Sequence, residues 1–226
     1  GILLIFDEVQ TGFGRTGNLF AYQNFEVKPD VIILAKALGG GVPIGAIGAS
    51  NKVIKHFMPG THAATFGGNP LSCAAALASL KILTSKGFLE HSKETGHYFK
   101  SCLENLKNKF PVIIDVRSRG MMLAATLKKP AAPVMIDCMK KGYLINCVQQ
   151  DTLRFIPPLI ISKKEIDGLI RTLSQSLKKL WKYYLYKTPN ISNKMKKDLI
   201  TLDDLTQEEV LSLFEKADFL KKKRKR

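Results

Sequence analysis

The chain has 226 residues, 45% of them hydrophobic, with 35 Lys and Arg against 19 Asp and Glu and a formal charge of +16. Length and composition suit a globular protein of one or two domains. No apolar run approaches the roughly 20 residues that span a bilayer, and the longest, Val31 to Leu38, already contains Lys36. This argues against a membrane-spanning protein.

Residue 1 is Gly and opens directly into Ile2-Leu3-Leu4-Ile5-Phe6, a stretch that does not read as a signal or transit sequence. We therefore expect a cytoplasmic protein whose sequence continues upstream of Gly1. The run from Ile2 to Phe6 predicts a strand buried on both faces of a parallel sheet. Asp7 follows at the strand's C-terminal end, where open α/β sheets place their ligands. After the turn signal Lys28-Pro29-Asp30, Val31 to Ala35 predicts a second strand, running into Lys36-Ala37-Leu38 and the glycine triplet Gly39-Gly40-Gly41. Ile44 to Ala49 predicts a third. Asn69-Pro70 reads as an N-cap followed by proline at the first helical position, opening an alanine-rich helix to Lys86 that stops at Gly87. A second long helix covers Phe88 to Lys109, ahead of Pro111.

Past that helix the pattern changes. Val112 to Ile114 and Met121 to Leu127 read as strands about a turn at Ser118-Arg119-Gly120, and Pro133 to Lys141 as a short helix. Tyr143 to Cys147 and Leu153 to Ile156 read as further strands. Ser162 caps a last helix to about Trp181. Cys73, Cys102, Cys138 and Cys147 are scattered without metal-ligand spacing and read as reduced thiols. Residues 178–197 carry seven lysines and no acid, and the chain ends in Lys221-Lys222-Lys223-Arg224-Lys225-Arg226. The positive excess thus reads as a solvated tail. A nucleic-acid-binding protein is the competing class, but aromatic residues interleave with the basic ones only at Tyr183, Tyr184 and Tyr186.

The combination of Lys36 and Asp7 carries the chemistry. A lysine beside a glycine triplet, with an acid ending the preceding strand, is the pairing that Schiff-base chemistry needs. A desolvated amine loses its charge readily and attacks a carbonyl. An ionised acid keeps a pyridine nitrogen protonated so that the ring can accept electrons. The glycines let the backbone approach a bulky ring.

The stretch Phe6-Asp7-Glu8-Val9-Gln10-Thr11-Gly12-Phe13-Gly14-Arg15-Thr16-Gly17 resembles a signature of class III aminotransferases. Ala35-Lys36-Ala37-Leu38 with the glycine triplet and Pro43-Ile44-Gly45-Ala46 resembles their cofactor-lysine segment. Thr61-His62 with Thr65-Phe66-Gly67-Gly68-Asn69-Pro70-Leu71 resembles the segment that follows, and Arg154-Phe155-Ile156-Pro157-Pro158-Leu159 an element near the end of their fold. The same spacing separates Asp7 from Lys36 and Lys36 from Thr65.

The resemblance implies an α/β chain holding part of a pyridoxal-phosphate-dependent aminotransferase of fold type I. Residues 1–100 would end the large domain with its parallel-type sheet, and residues 101–182 would form the small α+β domain. By position, Lys36 would bind pyridoxal 5'-phosphate covalently and serve as general acid and base. Asp7 would hold the pyridine nitrogen, Val9 would lie against a ring face, and Gln10 would bond near the ring hydroxyl. Glu8 falls in the same cofactor-contacting run. Thr65 would reach the cofactor phosphate of a neighbouring subunit, implying a homodimer with a shared site. Arg154 would grip the substrate carboxylate as a bidentate fork. Ala64, on the substrate side, stands where the acetylornithine and ornithine branches usually carry Ser, so a hydrogen bond to cofactor or substrate is lost there. The family's N-terminal half, with its glycine-rich phosphate loop and stacking aromatic ring, has no counterpart in these residues.

The end of the chain resembles a different family. Met195-Lys196-Lys197-Asp198-Leu199-Ile200-Thr201-Leu202-Asp203-Asp204-Leu205-Thr206-Gln207-Glu208-Glu209 is similar to the opening of ornithine carbamoyltransferases. Thr206 and Glu209 form a capping box before an amphipathic helix over Val210 to Lys222. Residues 183–197 read as a linker and 198–226 as this helix with a basic tail. Both resemblances belong to arginine biosynthesis. The expected reaction moves an amino group between N2-acetylornithine and 2-oxoglutarate, without nucleic acid or membrane partners. Ornithine, 4-aminobutyrate or another ω-amine as donor, and an inactive remnant, are the alternatives.

Overall fold

The computed structural model describes residues 1–187, with side chains described as far as Lys182. The linker, the carbamoyltransferase-like segment and the basic end predicted over residues 183–226 lie outside the described residues, apart from a helical backbone that runs on to Lys187. Gly1–Lys182 form one compact unit, built on two sheets.

The first sheet is β1 (Ile5–Asp7), β2 (Val31–Leu34) and β3 (Ala46–Ala49), in that order. β1 and β2 are parallel, with Ile5 opposite Val31 and Asp7 opposite Ile33, whereas β3 returns antiparallel to β2. The expectation of a strand buried on both faces is corrected for β1. It lies at the sheet's edge, Ile5 is 54% exposed and Ile2 99%. An apolar run of this kind records what a strand is suited to bury, not whether the residues that would cover it lie in the same chain.

A short helix α1 (Asn51–Ile54) follows β3, and then α2 (Pro70–Leu83). Asn69 caps α2 by accepting the Ser72 N–H at 2.9 Å, and Pro70 opens it. This helix ends before Lys86. Gly87, expected to terminate it, instead begins α3 (Phe88–Lys109) as an N-cap with φ +84. Ser92, Thr95, Gly96, Phe99, Leu103 and Leu106 are buried at helical spacing along one face of α3, each large apolar side chain stabilising the fold by about 2 kcal/mol.

The second sheet contains β4 (Ile113–Arg119), β5 (Met122–Leu127), β6 (Asn146–Val148) and β7 (Thr152–Phe155), in the antiparallel order β4-β5-β7-β6. The β4–β5 turn is tighter than expected. Ser118 and Arg119 stay in the strand, and Gly120 (φ +54) with Met121 makes the connection. Val116, Leu123, Ala125, Leu127, Leu153 and Phe155 are buried. Phe155 meets Phe99 edge to face at 5.3 Å. Arg117, Ala124 and Arg154 form a row across the opposite face. Helix α4 (Ala132–Lys140) precedes β6, and α5 (Lys163–Lys187) closes the described chain. Ser162 and Glu165 cap α5 reciprocally, Glu165 accepting the Ser162 N–H at 2.8 Å and Ser162 Oγ accepting the Glu165 N–H at 3.3 Å.

Candidate active site

The parallel pair β1–β2 delivers Asp7 and Lys36 to the same end of the first sheet. Asp7 is opposite Ile33, and the Glu8 N–H extends the ladder by donating to the Ile33 carbonyl at 2.9 Å. Lys36 comes three residues after Ile33, at the strand ends where α/β sheets bind ligands. Asp7 turns the chain by accepting the Val9 N–H on Oδ1 at 2.9 Å. Its other carboxylate oxygen has no hydrogen bond among the described residues.

Lys36 is held with φ +48 at the start of a 3-10 turn, Lys36–Gly39. A left-handed lysine costs about 1 kcal/mol or more and persists only where its surroundings impose it. Those surroundings are visible. Leu38 is 5% exposed and packs in one cluster with Phe13, Ala76 and Leu83. A methyl group on Gly40 would come within 2.4 Å of Ser79 Oγ on α2, and one on Gly39 within 2.8 Å of Ile44 Cγ2. Phe13, itself at φ +58, brings the loop after Asp7 into the same cluster. The two segments thus share one core. The expectation of a desolvated amine is corrected: Lys36 is exposed, because none of the described residues covers that end of the sheet.

Glu8 is the buried acid of the group, 2% exposed. It accepts hydrogen bonds from Thr11 Oγ1 at 2.6 Å, the Tyr22 N–H at 2.8 Å and the Ala21 N–H at 3.0 Å. Such bonds offset the cost of burying a carboxylate. Its side chain therefore organises the loop between β1 and the 3-10 turn Ala21–Asn24. Val9 and Gln10 follow in the turn after β1, Val9 half-buried and Gln10 exposed.

Ala64 and Thr65 lie in the exposed segment ahead of α2, where the Gly67 N–H donates to the Ala64 carbonyl at 3.1 Å. Arg154 belongs to β7, an interior strand of the second sheet. Its buried Nε has no hydrogen-bond partner. It lines a groove of about 340 Å³ with Arg117, Arg119, Met122, Ala124 and Ile156. A buried charged donor without a partner calls for an acceptor, and a carboxylate oxygen is the acceptor that a guanidinium fork matches.

An amine and a carboxylate with an open oxygen at one sheet end, a left-handed backbone imposed on the amine, and an unpartnered arginine in a groove form a donor set that fits pyridoxal phosphate and an acidic substrate. Two residues given no role from sequence also matter. Phe13 and Arg15 anchor the loop that follows Asp7. Both fall inside the signature stretch, but no sequence pattern says which core or which carbonyl a side chain will meet.

Residues 1–177 match the family model described as Aminotransferase class-III. The acetylornithine aminotransferase of Methanocaldococcus jannaschii is 48% identical over 174 residues, covering 77% of this chain and 44% of that protein. The ornithine aminotransferase of Brevibacillus brevis is 43% identical over 177 residues, covering 78% of this chain and 44% of that protein. Among solved structures, the ornithine aminotransferase of Toxoplasma gondii superposes with a TM-score of 0.75 at 35% identity, over 80% of this chain and 44% of that one. The chain thus spans about half the length of the curated relatives it matches.

Proposed function

Because this chain belongs to the class III aminotransferase family, we propose that it is the part of a pyridoxal-phosphate-dependent transaminase that carries the cofactor lysine, Lys36. The single observation behind this reading is the left-handed Lys36 at the end of β2, beside the strand that ends in Asp7. Bound there, pyridoxal phosphate supplies a carbonyl carbon for the amino group and an electron-accepting ring.

Lys36 would hold the cofactor covalently through Nζ and would take up and return a proton there. Asp7 would keep the ring nitrogen protonated, Val9 would lie against the ring and Gln10 would bond near its hydroxyl. Glu8 acts through the loop it organises. Thr65 would donate to the phosphate in a neighbouring subunit of a homodimer, a role to which its exposure is suited. Arg154 receives the substrate carboxylate on its unpartnered Nε, while the methyl of Ala64 leaves the substrate side without the hydroxyl that serine would bring.

We read the donor as N2-acetylornithine and the acceptor as 2-oxoglutarate, in arginine biosynthesis in the cytoplasm. Identity to the M. jannaschii acetylornithine aminotransferase supports this, as does the likeness of residues 195–209 to the opening of ornithine carbamoyltransferases, an enzyme of the same pathway. We retain that likeness as a proposed fusion, and the division of the aminotransferase part into residues 1–100 and 101–182. Ornithine as donor is the second reading, favoured by the 43% identity to the B. brevis ornithine aminotransferase.

The test is a hybrid in which residues 1–177 replace the matching span of the M. jannaschii enzyme. With pyridoxal phosphate and borohydride, the pyridoxyl group should be recovered on Lys36, and acetylornithine should be the preferred donor. Recovery on Lys52 or Lys81 would overturn the site. Preference for ornithine would select the second reading. Labelling without turnover would select the inactive remnant.

A further inference from the structure

Beyond the residues assigned to cofactor and substrate, one charged side chain ties the two together. Arg15 is partly buried in the loop that leaves Asp7, and no carboxylate pairs with it among the described residues. Its Nη1 donates to the Pro157 carbonyl at 2.6 Å and, more weakly, to the Met121 carbonyl at 3.4 Å. Its own carbonyl accepts the Met121 N–H at 2.9 Å. A partly buried guanidinium bound to neutral carbonyls gives up hydration without gaining an ion pair, and its hydrogen bonds offset only part of that cost.

What those bonds join is specific. Pro157 stands three residues after Arg154, and Ile156-Pro157-Pro158 is a stiff link because proline restricts both itself and the residue before it. Arg15 stands five residues after Gln10, across a loop with Phe13 in the core and Gly14 held by Ser92 Oγ, which donates to its carbonyl at 2.9 Å. The approach around the loop is close. A methyl group on Gly120 would lie 2.4 Å from the Thr16 carbonyl carbon and 2.6 Å from the Gly17 nitrogen, and one on Gly96 would lie 2.6 Å from the Gly120 oxygen. Leu159 packs on the Phe13 cluster beyond the proline pair.

We propose that Arg15 is a positioning residue that sets the placement of the Arg154 strand relative to the Asp7–Gln10 loop, and hence of the substrate carboxylate relative to the cofactor. The inference rests on the function proposed above. Its consequence is that a change at Arg15 should reach substrate geometry through Pro157 while leaving the attachment of the cofactor at Lys36 intact. A shift of this link turns the Arg154 guanidinium away from the carboxylate it would receive, which weakens a charge-assisted bond and so lowers substrate affinity.

Two measurements test it, with Arg15→Gln and Arg15→Lys. In the full 226-residue chain, hydrogen exchange should quicken by about tenfold, as for loss of one charge-assisted bond, in peptides covering both residues 8–17 and residues 153–159. Peptides from the interior of α3 should be unchanged, and Arg15→Lys should restore most of the protection. In the hybrid enzyme, Arg15→Gln should raise KM for the acidic substrate about tenfold with kcat changed less than about threefold, and borohydride should still label Lys36. Unchanged exchange over residues 153–159 would overturn the proposal, as would a uniform rise across the chain, or kcat and Lys36 labelling falling with KM unchanged. If the unsubstituted hybrid fails to label Lys36, the proposed function fails, and the exchange measurement still decides whether Arg15 makes this link.

Discussion

At Lys36 the backbone and the chemistry pull in opposite directions. A φ of +48 suits glycine better than lysine, so Lys36→Gly should abolish cofactor trapping while raising the melting temperature by about 2–4 °C, the effect of roughly 1 kcal/mol in a chain of this size. The neighbouring Ala37→Gly should lower it. Thermal melts of the two variants test this, and a loss of stability in Lys36→Gly would mean that the lysine stem packs against the fold instead of facing solvent. Two glycines separate strain from crowding in the same way. Gly142 has φ +85, but a methyl group added there would meet nothing within 4 Å, while at Gly120 such a group meets backbone at 2.4 Å. Gly142→Ala should therefore cost about 1 kcal/mol, and Gly120→Ala about 3 kcal/mol or more, as read from denaturant midpoints.

Among the elements, α4 and α5 are joined by an acid that both helices use. Ser176 Oγ on α5 donates to Asp137 Oδ2, Lys179 Nζ approaches Oδ1 at 3.2 Å, and Lys141 Nζ lies 3.5 Å from Oδ2. The Ser176 hydrogen bond, helped by the two lysines, holds the Asp137 carboxyl below its usual range, against a smaller opposing effect of burial. A carboxyl depressed in the folded state stabilises above its unfolded pKa of about 3.9, and that contribution is lost as pH falls through the lower folded value. Asp137→Asn should melt about 2–4 °C below the parent at pH 7, and the gap should close as pH drops below about 4. A gap that stayed constant with pH would mean that shape rather than charge joins the helices. Cys138 beside it is buried, and burial raises its thiol to about 11. It should therefore react with a maleimide far more slowly than the less buried Cys147 at pH 7.

For the whole chain, the exposed apolar residues have consequences of their own. Ile5, Ile47, Phe66, Leu71 and Leu77 are each more than half exposed on the strands and on or just before the helix that frame Lys36. The relatives are about twice as long as the span they share with this chain. On our reading the 226 residues alone should turn over acetylornithine far below an ordinary rate of about 1 per second. Joining them to the complementary segment of a relative should restore turnover and reduce binding of a hydrophobic dye. Full turnover by the chain alone would contradict the reading that these residues form only part of the pocket. No helix among the described residues is long and apolar enough to cross a membrane, so these exposed side chains are not part of a membrane-spanning helix.

Much of this protein was legible in its residues. Local signals suffice where local chemistry decides. Asn69-Pro70 opens α2, Ser162 and Glu165 cap α5, and α3 runs over the predicted Phe88–Lys109, because caps and helical periodicity act within a few positions. The placement of Asp7 and Lys36 at the ends of neighbouring strands was likewise legible, since each follows an apolar run. Tertiary structure decided what depends on distant partners. The run from Ile2 could not reveal that β1 lies uncovered at an edge, nor could Lys36 reveal its own exposure, since burial depends on what packs from elsewhere. The Glu8 carboxylate could have faced a ligand, and only the fold turned it onto the amides of Ala21 and Tyr22. Arg15 reaches Pro157 across 142 positions of sequence, a pairing that no periodicity encodes because chain closure over that distance is set by the packing of α3 and the β4–β5 turn between them.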